Sequence, residues 1–296
     1  MNKKAEFSPH IVGLSALYIL GNGVLIFPLT GTDEFGFSAY LIALLALFIF
    51  YFSVSFLVDK IKAPKILSAV CLPLVAVGVL FVGAESFKDI INFAKEIVLP
   101  ESSAFFIVLA FSCVAVYFAL KPYQTVFKFS LMSFVLVCIV ILFFFIAPMD
   151  KYNLRNIYIF RLPNLKSFLP QVGVYFINPI SQSFVLAMFL KLCLGKSHSN
   201  QATLGVLIGG AFLGLCILAP ILLFGAKLSG NFDFPFSSTA ETVTVGRLFT
   251  RLDGFVYFMY FVTSLIKITV CLKTALYALE NLKKRFGNKC KNGLIR

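Results

Sequence analysis

Long apolar runs, each of about the length needed to cross a bilayer, alternate with short polar segments along the whole chain. A helix needs about 20 predominantly apolar residues to span the hydrocarbon core. By this criterion the sequence predicts eight transmembrane helices, at roughly 9–29, 37–58, 66–84, 103–120, 128–149, 166–190, 203–226 and 252–273. Since no water satisfies backbone groups inside a bilayer, helices are the expected spanning element. The pattern therefore predicts an all-α integral membrane protein in which residues 1–296 form a single polytopic domain.

Two segments between the spans have a helical periodicity of their own. From 85 to 99, apolar residues recur along one helix face and polar residues fall opposite. This pattern predicts that the third helix continues beyond the bilayer with one face in water. The sequence from Ser238 to Glu241 matches a capping box and predicts a short helix at the outer surface, before the last span.

Composition and charge agree with a membrane protein. Hydrophobic residues make up 59% of the chain and charged residues 13%, about half the charged fraction of a soluble domain. The net charge is +13, and 16 of the 26 basic residues fall on one side of the membrane when the N-terminus is placed in the cytoplasm. Both termini are therefore predicted to be cytoplasmic. The predicted outer loop 150–166 is the exception, because it carries four basic residues.

The residue types exclude several classes of function. With 13 carboxylates and two histidines, the chain has few groups for acid–base catalysis or metal binding, so we expect no enzyme, no metal and no cofactor. The seven cysteines have no C-x-x-C spacing, and most lie in apolar runs, where cysteine behaves as a small hydrophobic residue. The basic residues do not alternate with aromatic residues on one face, so the expected partner is the lipid bilayer and not a nucleic acid.

The first predicted span contains a possible break. Gly21 and Gly23 flank Asn22, each glycine lowers the helical preference by about 1 kcal/mol, and Pro28 closes the span. An opened backbone at this depth would expose N–H groups that could hold a carboxylate. Close packing of the glycines against a neighbouring helix explains the same residues equally well.

The sixth predicted span contains a second possible break at Asn178-Pro179, followed by Ser181. Proline removes one helical hydrogen bond and disfavours the helical conformation of the residue before it. Carbonyl groups freed at such a break could accept hydrogen bonds from an ammonium group. A structural kink without a ligand is the alternative.

The eighth predicted span contains Lys267, with Thr263 and Ser264 close to it along the helix. A lysine at the centre of a bilayer costs roughly 2.5–3.5 kcal/mol on insertion scales, so it indicates a functional site by default. The alternative is that its long stem reaches the cytoplasmic interface. At the other end of this span, Arg251 and Asp253 are predicted to brace the start of the helix.

Three stretches resemble the spore germination permease family, which supplies the B subunit of bacterial germinant receptors and lies within the amino acid-polyamine-organocation transporter superfamily. The first is Ser8-Pro9-His10 with the glycine break and proline of 19–28. The second is the amphipathic extension of the third span through 99–102. The third is the segment 234–253, with its Arg-x-acid pair, followed by Lys267.

The resemblance implies a fold of ten helices built as two inverted five-helix repeats. In this chain the first repeat would cover about 9–149 and a partial second repeat about 166–285, with the last two helices missing. It also implies an amino acid site, with the ligand carboxylate held by Gly21, Asn22 and Gly23, and its ammonium group by the backbone of Ile177 and Asn178. Ser181 is also predicted to bind the ligand at this site, and Pro179 to shape the break.

The resemblance further implies that Lys267, with Thr263 and Ser264 nearby, lies where related transporters place a sodium ion. The implied function is that of a nutrient-sensing subunit, which binds a germinant, expected to be an amino acid, in the inner membrane of the spore. It would trigger germination together with the other receptor subunits. An amino acid transporter working by alternating access is the alternative, and a truncated copy with only an assembly role is a third interpretation.

Overall fold

A computed structural model describes residues 9–26, 49, 71–157, 181–191, 199–243 and 252–293. No strand occurs in these ranges. The helices are α1 (Pro9–Ile26), α2 (Cys71–Phe93), α3 (Ala104–Leu120), α4 (Tyr123–Ile146), α5 (181–191), α6 (Ser199–Phe224), α7 (Ala226–Ser229), α8 (Pro235–Glu241) and α9 (Asp253–Gly293). The predicted all-helical class is therefore confirmed for this part of the chain.

Three helical segments are long and apolar enough to cross a membrane, namely Tyr123–Lys151, Asn200–Phe224 and Asp253–Asn281. Two shorter apolar helices are Pro9–Gly21 and Ala104–Leu120. Nearly all of the predicted span at 37–58 and most of the one at 166–190 lie outside the described residues. The count of eight spans and the inverted-repeat boundaries therefore stay predictions.

After its first two turns, α4 exposes a long apolar surface. Met132 is 76% exposed and Ile139 is 63% exposed, whereas Ser130 and Ser133 are buried. The Ser130 hydroxyl donates to the carbonyl of Val126 on the same helix. A long apolar exposed surface, with small polar residues such as Ser130 and Ser133 placed on the buried side, is typical of a helix that faces lipid.

The centre of the bundle is α1, whose residues from Ile11 to Gly21 are all buried. α1 packs against α4, α6 and α9. It approaches α6 closely through Gly205 and Gly209, because a Cβ atom on Gly209 would lie 2.6 Å from the carbonyl oxygen of Ala16. These glycines form a G-x-x-x-G motif, which brings helix backbones together in membranes.

α2 packs along α9 in the antiparallel direction, since Gly83 lies opposite Cys271 and Phe93 lies opposite Tyr260. The predicted amphipathic pattern is confirmed, with Ile90, Phe93 and Ala94 buried and with Lys88, Asn92, Lys95 and Glu96 exposed. A π-helical turn, Ala94–Val98, ends the element. Phe93 contacts Tyr260 of α9, and the position of residues 85–93 relative to the bilayer stays a prediction.

Phe93 is fully buried and is the hub of an aromatic cluster. Its ring centroid lies 4.7–6.1 Å from four other aromatic rings, those of Phe234, Tyr257, Tyr260 and Phe261. Edge-to-face contacts of this kind add to the stabilisation from packing. The cluster therefore fixes the end of α2 against α9 and against the segment before α8.

Replacing Phe93 with alanine is expected to lower the free energy of unfolding by about 3 kcal/mol, because it leaves a cavity between α2 and α9. Denaturant unfolding of the purified chain in detergent measures this change. Phe105, which is 65% exposed on α3, provides the matched control. Phe105→Ala is expected to change the free energy by less than about 0.5 kcal/mol, and equal effects of the two substitutions would refute the role of the cluster.

The short helix before the last span exists, but the capping box predicted for its start is wrong. α8 begins at Pro235 and not at Ser238, since proline is preorganised for the first helical position. Its residues are mostly buried, and it packs against α6 and α9. Its predicted position at the outer surface of the membrane stays a prediction. Glu241 ends the helix and is not the third residue of a capping box.

The segment after α4 ties the ends of α6 and α8 together. The Asn156 side-chain amide donates to the carbonyl of Leu222 at 3.0 Å, and α6 ends at Gly225 with a positive φ of 83°. The Lys151 ammonium donates to the carbonyl of Thr242 at 3.0 Å, at the end of α8. A cation at a helix C-terminus is favourable, so one of the four basic residues in 150–166 now has a structural role.

Candidate functional site

The Lys267 side chain is fully buried within the apolar part of α9. Its ammonium nitrogen has no hydrogen-bond partner among the described residues. It lies 5.9 Å from the centroid of the Tyr18 ring on α1, near the limit for a cation–π contact. The alternative in which this lysine reaches the membrane interface therefore does not describe this structure.

A second buried lysine on the same helix provides a contrast. Lys273 is 4% exposed, and its ammonium donates to the carbonyl of Ala119 at 3.0 Å and to the carbonyl of Lys121. These carbonyls are at the C-terminal end of α3, where a cation is favourable. Lys273 is thus a hydrogen-bonded structural lysine, whereas Lys267 is not.

The predicted opening of the first span at Gly21, Asn22 and Gly23 is wrong for this structure, because α1 is helical through all three residues to Ile26. The reason is packing. A Cβ atom on Gly21 would lie 2.5 Å from the carbonyl oxygen of Thr263 and 3.3 Å from Cβ of Lys267. Close contact with α9 therefore uses the missing side chain of Gly21 and outweighs its low helical preference.

The first and sixth predicted spans meet at Tyr18. The Tyr18 hydroxyl donates to the backbone carbonyl of Gln182 at 3.3 Å. Ser181, the residue before Gln182, is half-buried. The structure thus brings Ser181, α1 and Lys267 to the same part of the bundle. The other predicted residues of the sixth span, and those that flank the first and eighth spans, lie outside the described residues, namely Ile177, Asn178, Pro179, Pro28 and Arg251.

Thr263 and Ser264 differ in their hydrogen bonding. The Thr263 hydroxyl donates within α9 to the carbonyls of Met259 and Tyr260, at 2.9 and 3.1 Å. The Ser264 hydroxyl is fully buried and has no partner in the described part of the chain. Ser264 precedes Lys267 by three positions, so both side chains lie on one face of the helix.

Asp253 is the first residue of α9, where a carboxylate is favourable. It accepts a hydrogen bond of 2.8 Å from the Tyr257 hydroxyl one turn later. Asp253 therefore supports the start of the helix, and its predicted partnership with Arg251 stays a prediction. No group of three or more metal-ligating side chains occurs in the ranges that the structure describes.

Asp89 on α2 is the residue of this region that the sequence pattern missed, because it was assigned to a face in water. It is half-buried, and its Oδ2 atom is enclosed without a hydrogen-bond partner among the residues described. Its stretch of α2, from Gly83 to Phe93, packs against the stretch of α9 from Tyr260 to Cys271, which contains Lys267. A signal was present in the register, since Asp89 lies three positions after Ser86 and four before Phe93, and both are buried.

Comparison with known proteins places the chain in a family. No curated protein and no solved structure matches it. A family model described as "spore germination protein" matches residues 9–291, a range that contains α1, α2, α5 and nearly all of α9. The chain therefore belongs to the spore permease family of spore germination proteins.

Proposed function

We propose that this chain is the membrane subunit through which a spore germinant receptor senses a nutrient amino acid. Membership of a spore germination family supports the role in germination. The observation that carries the ligand-sensing part is the buried ammonium of Lys267, which has no hydrogen-bond partner in the described residues. Since an ionised group inside a membrane is costly, such groups mark ligand or ion pathways.

The site lies where three helices converge. Tyr18 of α1 contacts the Gln182 carbonyl of α5 and presents its ring to Lys267 of α9. A ligand bound here contacts all three helices, so it stabilises the arrangement of the bundle for which it has the higher affinity. The fixed ammonium of Lys267 takes the place that the family resemblance assigns to a sodium ion, and we expect sensing to need no sodium.

The signal passes to the other receptor subunits in the inner membrane of the spore. α8 is buried against α6 and α9, so it offers little surface to a partner. The end of α2 exposes the polar residues Lys88, Asn92, Lys95 and Glu96. We assign the contact with the partner subunits to this polar face.

Deletion of the gene is expected to abolish germination in response to one or a few amino acids and to leave responses to other nutrients unchanged. The test exposes deletion spores to single L-amino acids and scores loss of refractility. A plasmid copy of the gene restores the response, and the chain co-purifies with the other receptor subunits. A deletion strain with the full wild-type pattern of responses would contradict the proposal.

Uptake by the isolated chain separates sensing from transport. Purified chain in proteoliposomes is expected to show no saturable uptake of a labelled amino acid. Saturable uptake would favour the alternative of an amino acid transporter working by alternating access. Loss of the partner subunits from the membrane after deletion, combined with normal responses from a ligand-site variant, would favour an assembly role alone.

A further inference from the structure

Two groups of opposite charge, the Lys267 ammonium on α9 and the Oδ2 atom of Asp89 on α2, are enclosed without hydrogen-bond partners in the described residues. Asp89 lies between Gly83 and Phe93, the stretch of α2 that packs against α9 between Cys271 and Tyr260, and Lys267 lies in that stretch of α9. Opposite charges attract strongly in a medium of low dielectric constant. The two side chains nevertheless do not form a hydrogen bond with each other.

A third group in the same region also lacks a partner among the residues that the structure describes. The Ser264 hydroxyl is fully buried on the face of α9 that carries Lys267. The region therefore presents two donors, an ammonium and a hydroxyl, and one carboxylate oxygen. Buried polar groups are nearly always hydrogen-bonded, so a cluster of unsatisfied groups requires an explanation such as a bound polar molecule.

We propose that Lys267 and Asp89 bind the two charged ends of a zwitterionic amino acid. The Lys267 ammonium and the Ser264 hydroxyl donate to the α-carboxylate of the ligand, and the Asp89 carboxylate accepts from its α-ammonium group. This assignment rests on the proposed function. It identifies α2 and α9 as the helices whose charged side chains bind the two ends of the ligand.

A zwitterion fits this pair better than a simple ion does. An anion alone would satisfy Lys267 and leave the enclosed oxygen of Asp89 without a donor, and a cation alone would do the opposite. A zwitterion pairs with both groups and adds no net charge to the low-dielectric interior. The Asp89 side chain is only half-buried, so the end of the site that holds the ligand's ammonium group is connected to the protein surface.

The test measures the thermal unfolding of the full-length chain, purified in nanodiscs, with and without small molecules. The probes are the twenty L-amino acids used singly, with ethylamine, propionate and sodium chloride as single-charge comparisons. At least one amino acid is expected to raise the unfolding temperature by a few degrees. The amine, the carboxylate and the salt are expected to leave it unchanged.

Four variants assign the effect to the charged pair. Lys267→Met and Asp89→Asn are each expected to raise the dissociation constant for that amino acid by at least about 10-fold. Lys273→Met and Glu96→Gln, on the same two elements, are expected to keep the wild-type dissociation constant. The unfolding temperature of each variant without ligand shows in the same experiment that it is folded.

Several outcomes would overturn the assignment. One is that no amino acid raises the unfolding temperature. Another is that propionate, ethylamine or salt raises it as much as the amino acid does. A third is that Lys267→Met or Asp89→Asn binds the amino acid with wild-type affinity. The proposed function is judged separately by the deletion strain. If deletion removes an amino acid response while both variants keep wild-type affinity, the sensing function stands and this site is wrong.

Discussion

Replacement of Lys267 with methionine is expected to raise the stability of the chain while it removes the response to amino acids. Methionine has a similar length and no charge, so the substitution removes an enclosed ammonium that lacks a hydrogen-bond partner among the described residues. A lysine at the bilayer centre costs roughly 2.5–3.5 kcal/mol, and we expect a gain of about 1–3 kcal/mol in the free energy of unfolding. Thermal unfolding in detergent measures the sign of the change.

Lys273→Met is the matched control, and it is expected to lower the free energy of unfolding where Lys267→Met raises it. It removes two hydrogen bonds from an ammonium to the carbonyls of Ala119 and Lys121 at the end of α3. Hydrogen bonds to charged groups contribute about 1.5–3 kcal/mol each, so the chain should lose stability. Loss of stability in both variants would show that Lys267 is a structural lysine as well.

Gly209→Ala is the second substitution with a large expected effect. The added Cβ would lie 2.6 Å from the carbonyl oxygen of Ala16 and 2.8 Å from its Cα atom, so α1 must move away from α6. Helix propensity favours alanine by about 1 kcal/mol, but overpacking against a backbone costs typically 1–3 kcal/mol or more, since a backbone has no rotamer to change. We expect a net loss of about 1–2 kcal/mol, seen as a smaller fraction of monodisperse protein after heating in detergent.

Gly78→Ala controls for helix propensity. Gly78 lies in the interior of α2, and an added Cβ would meet no atom within 4 Å. This substitution is expected to be neutral or to stabilise the chain by up to about 1 kcal/mol. If Gly209→Ala behaved in the same way, the close contact of α1 with α6 would be refuted.

The lengths of the apolar runs in the sequence predicted where the helices lie better than where they end. The span predicted at 103–120 is α3, Ala104–Leu120. The span predicted at 252–273 begins correctly, but α9 continues to Gly293, because hydropathy marks the part of a helix that faces lipid and not the residue at which the helix ends. The continuation of the third span through 85–99 was predicted from its helical periodicity, and α2 does extend to Phe93, with a π-helical turn to Val98.

Packing partners were the part that the sequence did not reveal. For Gly21 the sequence left an opened backbone and close packing equally supported, and only the structure identifies the carbonyl of Thr263 as the neighbour. Asp89 was assigned to a polar face, and only the position of α9 shows that one of its oxygens is enclosed near Lys267. The motif Gly205-x-x-x-Gly209 was visible in the sequence and predicts close helix packing, although its partner α1 was not predictable.

The most direct test of the account is the amino acid dose–response of spores that carry Lys267→Met in place of the wild-type gene, with the amount of chain in the spore membrane quantified. Spores carrying Lys273→Met at equal abundance are the control. The account predicts that Lys267→Met spores contain the chain and do not germinate with the amino acids that the deletion strain has lost, whereas Lys273→Met spores respond. A wild-type dose–response in the Lys267→Met spores would contradict it.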